Sequence, residues 1–227
     1  INLTIKPGEK LAIVGATGAG KSTLAALTVR FYDPTEGIIR LDGIDLRKIK
    51  QKSLRKKVIL VPQEPFVFSG TVMDNLKYAN PEVPDEEVIR VCKEIGLHNV
   101  IEKFPNGYNT QISEGGIDIS SGQKQLITIA RAILANPSVV ILDEAMSSVD
   151  PNTEEVVHEA LKKLTKNRTT IIIAHRLSTV KESDRIIVMA NGQIVQQGTH
   201  EQLLKEEGIY RNLWKTLIGA EQEVEVR

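Results

Sequence analysis

Residues Leu11 to Phe31 read "LAIVGATGAGKSTLAALTVRF". A short apolar run comes first, then a glycine-rich turn, then a segment with helical spacing. Residues 15–22 fit the pattern G-x-x-x-x-G-K-[ST], and strand, loop and helix follow in the order that pattern requires. Glycines let the backbone wrap an anion and turn its N–H groups inward. A helix beginning near Lys21 offers its positive end to the same anion. Gly15, Ala16, Thr17, Gly18, Ala19, Gly20, Lys21, Ser22 and Thr23 therefore read as a phosphate cradle. Lys21 is expected to reach the terminal phosphates, and the Ser22 hydroxyl to ligate Mg²⁺.

Outward from this loop, buried strands alternate with helices. "VILV" ends at Pro62, "VVILDE" runs from Val139 to Glu144, and "TTIIIAH" runs from Thr169 to His175. Continuous apolar strands between helices predict a parallel α/β sheet. "INLTI" alternates like a strand, and Ile38 to Leu41 reads as another, followed by an Asp42-Gly43 turn. Asn191-Gly192 predicts a hairpin, and Thr199 with Gln202 a capping box for the last helix. Helices are expected over 85–95, closed by Gly96, and over about 121–135. The piece from about 65 to 135 breaks the alternation and reads as an inserted helical subdomain. Residues 1–64 and 136–227 then form the core with a small antiparallel β-lobe. The whole is one domain.

The chain has 227 residues, and 29 Lys and Arg balance 29 Asp and Glu. A neutral chain carries no electrostatic footprint for nucleic acid. The single cysteine, Cys92, excludes an intrachain disulfide and, at an apolar helical spacing, reads as a buried structural thiol. No apolar run approaches the ~18 residues of a membrane span. "INLTIKPGEK" enters a strand at once, so the chain reads as part of something longer.

Asp143 and Glu144 close a buried strand. Successive residues leave a strand in different directions. Asp143 can therefore face a metal, through water, while Glu144 faces a water that attacks the terminal phosphate. These motifs together imply a Mg-nucleotide phosphohydrolase or kinase.

With "ISSGQKQLITIARAIL" added, the chain resembles the nucleotide-binding domain of ATP-binding cassette transporters, over essentially its whole length. Ser120, Ser121, Gly122 and Gln123 match the family signature, usually written LSGGQ. Gln63 looks like the glutamine that touches magnesium and senses the membrane domain. "SSVD" with Asp150 resembles the loop that crosses to a partner domain, and His175 is similar to the switch histidine at the terminal phosphate. "FVFSGTVMDNLKYA", "YNTQISEGG" and the run from "IIAHRLSTV" to "GIY" look like the exporter branch. Thr110 to Gly116 falls where exporters place a segment against the membrane domain. The resemblance implies ATP as substrate with Mg²⁺, and a head-to-tail dimer with a second cassette domain, identical or different. In that dimer the signature of one chain faces the ATP of the other. It also implies a transmembrane domain as partner, at the cytoplasmic face of the membrane.

The chain departs from that pattern in places. Ile119 stands for leucine, and Ser121 for a glycine. Lys124-Gln125-Leu126 lacks the arginine common there. The resemblance implies an aromatic residue some twenty residues before the phosphate loop, on which family members stack adenine, and it is expected ahead of Ile1. Rival readings are a soluble cassette ATPase of DNA repair or translation, a GTP switch or small-molecule kinase, and a cassette that binds nucleotide without hydrolysing it. No guanine-binding N-K-x-D run is present. Glu144 and His175 argue for hydrolysis.

Overall fold

The computed structural model describes residues 1–112, 119–143, 151–174 and 177–216. In chain order the elements are β1 (Lys10–Val14), α1 (Lys21–Thr28), β2 (Arg40–Leu41), β3 (Ile44–Asp45), α2 (Gln51–Lys57), β4 (Val58–Val61), β5 (Gly70–Thr71) and α3 (Val72–Lys77). Then come α4 (Asp85–Glu94), α5 (His98–Ile101), β6 (Gln111–Ile112), α6 (Ser121–Ala135), β7 (Val139–Asp143), α7 (Pro151–Thr165) and β8 (Thr169–Ile173). The chain continues through α8 (Leu177–Lys181), β9 (Arg185–Ala190), β10 (Gln193–Gly198) and α9 (His200–Lys205). Two compact units result. The first comprises Ile1–Leu60, Val139–Ala145 and Arg168–Arg227, the second Val61–Ser138 and Met146–Asn167.

The first unit is built on a sheet whose strand order, among the described residues, is β10-β9-β1-β8-β7-β4. β1 runs parallel to β8 and β9, and β7 parallel to β8. β10 is the antiparallel return of a hairpin from β9. Lys10 pairs with Thr170, and Asp143 ends its ladder opposite Ile173. Strands covered on both faces read as unbroken apolar runs, which is why Leu11, Ile13, Ile141, Ile171 and Ile173 share one core cluster. Ala25 brings α1 into that cluster, joined by Val29 just beyond its end, and Leu54 brings α2. The mixed α/β fold, dominated by parallel pairing, is the one expected from the sequence.

Three expected boundaries change. Residues 1–6 form no strand. Leu3 and Ile5 are half-buried against the core, and the carbonyl of Thr4 accepts from the Arg185 guanidinium at 2.6 Å. Alternation records one-sided burial, and an extended segment held by a side chain satisfies it without a ladder. The strand read over Ile38 to Leu41 contracts to the β2–β3 hairpin, whose turn residues Asp42 and Gly43 have φ of +50° and +81°. Finally, α1 stops at Thr28, and Arg30 turns left-handed at φ +55°.

The second unit is mostly helical. α6 packs against α3, α4 and α7 and has the bounds that its spacing predicts. Its C-cap, Asn136, is left-handed at φ +48°, and Pro137 follows. α3 opens with a capping box between Thr71 and Asp74. Arg131 of α6 is 7% exposed. Its guanidinium donates to the carbonyls of Asn75 (2.6 Å) and Phe66 (2.8 Å), and also to Asn75 Oδ1. Asn75 in turn donates to the carbonyls of Phe68 and Thr71. Helix α6 and the segment from 66 to 75 are thereby joined by groups that sequence spacing does not relate.

Candidate nucleotide-phosphate site

Residues 15–23 leave the buried end of β1 and curl into α1. Gly15, Gly18 and Gly20 have φ of +155°, +80° and +101°, backbone conformations that side chains resist. Ala19 N–H donates to Ala16 O at 3.1 Å and closes the curl, and Leu24 N–H to Gly20 O at 3.0 Å is the helix's first bond. The N–H groups of Lys21, Ser22 and Thr23 precede that bond and have no partner within the helix. Together with the helix dipole they form the donor array that a phosphate requires.

Lys21 is 8% exposed. Its ammonium donates to Gly15 O at 2.8 Å and Ala16 O at 3.0 Å, so it lies inside the curl. Burial pushes its pKa down, and the negative charge of Asp143 opposes that shift. Asp143, half-buried at the end of β7, therefore acts electrostatically on the loop. Ser22 and Thr23 are exposed in the first turn of α1. A hydroxyl and a carboxylate are oxygen donors of the hard kind that Mg²⁺ accepts. Among the described residues no group of three or more His, Cys, Asp and Glu gathers for a metal. One hydroxyl and one carboxylate suit an ion that keeps waters and takes phosphate oxygens as ligands. The residues fit the expected Mg²⁺.

Gln63 and the signature residues belong to the second unit. Gln63 is exposed just beyond β4. Ser120 is the N-cap of α6: its hydroxyl accepts from Gln123 N–H at 3.2 Å, and Gln123 Oε1 accepts from Ser120 N–H at 3.1 Å. Lys124 N–H makes the first helical bond to Ser120 O. The N–H groups of Ser121 and Gly122 remain as donors at a helix start, with Ser121 exposed and Gly122 buried. Ile119 is 3% and Leu126 2% exposed, so both departures are absorbed as core residues. Glu144, Asp150 and His175 lie outside the described residues.

One contact had no signal in the sequence. The β9–β10 turn, read there only as a hairpin, sits behind the phosphate loop, with Gly192 N–H donating to Ala19 O at 3.0 Å.

Residues 1–147 match the family model for the ABC transporter. The chain belongs to the ABC transporter family. Membership implies ATPase activity. Relatives include "ABC transporter B family member 4" of Dictyostelium discoideum, 44% identical over 98% of this chain. Others are the human "Mitochondrial potassium channel ATP-binding subunit", 48% identical over 93%, and the human "ATP-binding cassette sub-family B member 6", 43% identical over 99%. The chain spans only 29%, 29% and 27% of the lengths of these three. Among the described residues of this ABC domain, no helix is long and apolar enough to cross a membrane.

Proposed function

We propose that this ABC domain binds and hydrolyses ATP to drive export of a solute across a membrane. It does so by closing head-to-tail on a second cassette domain, identical or different, beneath a transmembrane domain at the cytoplasmic face. The observation that carries the reading is the loop from Gly15 to Thr23. Its curled backbone, the inward Lys21 and the opposed Asp143 form a site for the polyphosphate of a nucleotide. The similarity to B-family relatives favours export over a soluble cassette ATPase.

In this mechanism the N–H groups of residues 20–23 hold the phosphates, and Lys21 neutralises the terminal ones. Ser22, Gln63 and Asp143 would hold Mg²⁺, which would supply positive charge against the phosphate oxygens. Glu144 orients and deprotonates the attacking water. His175 contacts the terminal phosphate, and Asp150 reaches across to the partner. Ser120, Ser121, Gly122 and Gln123 close over the ATP of that partner, and closure excludes water from the bond that breaks.

The test is steady-state hydrolysis of Mg-ATP and Mg-GTP by the wild-type chain and by Glu144→Gln. The substitution should leave ATP binding intact and slow turnover by roughly 10²-fold or more. It should also trap an ATP-dependent dimer, visible by light scattering. A variant that turns over near the wild-type rate removes Glu144 from the mechanism, and a wild-type chain that ignores ATP removes the reading as a whole.

A further inference from the structure

Asn191 and Gly192 make the two-residue turn between β9 and β10, with φ of +50° and +74°. Both values are left-handed, the pattern of a type I′ hairpin turn, for which Asn-Gly is the favoured pair. The turn is aimed at the phosphate loop. Gly192 N–H donates to Ala19 O at 3.0 Å. A Cβ on Gly15 would run into the Met189 carbonyl oxygen, and one on Gly20 would meet Gly192 Cα and Met189 Cε, each at 3.5 Å. The hairpin is thus the back wall of the loop. Glycine at 15 is required by this wall; at 20 the added Cβ makes only ordinary contact with it, and the left-handed φ of +101° is what favours glycine.

A trans peptide is planar, so the C=O of one residue and the N–H of the next point in opposite directions. Holding Ala19 C=O against the hairpin fixes where Gly20 N–H points. That N–H has no acceptor among the described residues, and it immediately precedes the free N–H groups of α1.

We propose that Gly192 is a positioning residue for the phosphate site. Its N–H, presented by the left-handed turn, sets the Ala19–Gly20 peptide so that Gly20 N–H faces the bound phosphate. The proposal rests on the nucleotide-binding reading above. It adds a contributor some 170 residues beyond the motif.

The molecule contains its own control. Asp42 and Gly43 form a matching turn between β2 and β3, with φ of +50° and +81°. At both Gly43 and Gly192 an added Cβ meets nothing within 4 Å. Valine at either site resists positive φ, and its Cβ meets no neighbour at either, so the generic cost of a spoiled turn is shared. Only at 192 does the spoiled turn withdraw a hydrogen bond from the loop. Asparagine restores left-handed φ, as Asn136, Asn167 and Asn191 show in this chain.

The experiment measures Mg-ATP dissociation constants by calorimetry, and urea stability, for the wild-type chain, Gly43→Val, Gly192→Val and Gly192→Asn. Gly43→Val should bind like wild type. Gly192→Val should bind roughly tenfold more weakly, the scale of one misdirected charge-assisted hydrogen bond, and Gly192→Asn should recover most of that loss. Equal constants for the two valine variants overturn the proposal and leave the nucleotide-binding reading standing. A wild-type chain that does not bind Mg-ATP overturns both. If Gly192→Val does not fold, amide exchange in the wild type decides. Gly192 N–H should be protected with and without Mg-ATP, and Gly20 N–H only with it. A Gly20 amide left unprotected by saturating Mg-ATP refutes the proposal.

Discussion

Replacing Arg131 by methionine keeps the length of the stem and removes the guanidinium. Three hydrogen bonds go with it: Nε to Asn75 O, Nη1 to Phe66 O, and Nη2 to Asn75 Oδ1. A hydrogen bond from a charged donor contributes about 1.5–3 kcal/mol, but the three losses do not simply add. Phe66 is 54% exposed, so its carbonyl regains water. Asn75 Oδ1 keeps the Phe68 N–H at 2.8 Å. The carbonyl of Asn75, in a residue 1% exposed, bears most of the cost. The guanidinium carbon also lies 5.2 Å from the Phe68 ring centroid, a contact contributing roughly 0.5–1 kcal/mol or more. Against this, the variant no longer buries a charge, a burden seen in the guanidinium pKa, which burial lowers to about 10. The net expectation is a loss of about 2–4 kcal/mol. The one tryptophan, Trp214, lies in the first unit, so its fluorescence is a poor reporter. Amide exchange over 72–77 and 121–135 is the assay, and at about 1.4 kcal/mol per tenfold those amides should exchange roughly 30- to 1,000-fold faster. Arg131→Lys keeps the charge without the planar fork and should recover less than half of the loss. Exchange within about threefold of wild type in Arg131→Met would show that the guanidinium does not hold α3 to α6.

Gly15→Ala forces a Cβ against the Met189 carbonyl; calorimetry should show Mg-ATP affinity falling by at least roughly tenfold, since one backbone or the other must move. His200 stands 2.7 Å from the Tyr210 hydroxyl through Nδ1, and burial lowers its pKa, with Glu201 opposing and Lys181 adding to that shift. Its folded pKa is below the unfolded value of about 6.5, so its contribution is present above that pH and is lost as pH falls toward the folded value; urea midpoints should drop between pH 7.5 and 5.5, and His200→Gln should flatten the drop. Cys92 is fully buried and its thiol is pushed up to about 12 by that burial; a thiol reagent at pH 8 should label it only as fast as the domain opens, and rapid labelling of the native chain would contradict the packing.

What was legible in the sequence was local. The glycine-rich turn at 15–20 leading into α1, the α6 bounds, the Asn191-Gly192 turn and the Thr199–Gln202 cap each depend on residues within one or two turns of chain. In each, backbone sterics and hydrogen-bond reach set the outcome. Parallel pairing followed because apolar runs without alternation need cover on both faces. The misreadings were also local: Leu3 and Ile5 alternate because one side meets the core, and burial alone does not supply a neighbouring strand. What could not be read is non-local. Arg131 and Asn75 lie 56 residues apart, and neither is unusual in its own segment. Gly192 reads as a turn residue, and nothing near it announces that its N–H is spent on Ala19.

The signature shows how a local rule can still sharpen a functional proposal. Ser120 and Gln123 match the family pattern, and both side chains are engaged in a reciprocal cap of α6. Their first duty is therefore to the helix. Capping satisfies the third N–H of the turn and leaves those of Ser121 and Gly122 pointing along the axis, where the dipole favours an anion. In the proposed dimer a partner's phosphate thus meets backbone at 121 and 122, and only small residues allow that approach. Serine at 121 is exposed at that point. It adds a hydroxyl that can donate to phosphate, and its cost is limited to the few atoms by which it exceeds glycine. A bulkier residue would block the backbone donors without replacing them. The departure at 121 is therefore compatible with anion binding on physical grounds, and its effect on turnover depends on how closely the partner's phosphate approaches.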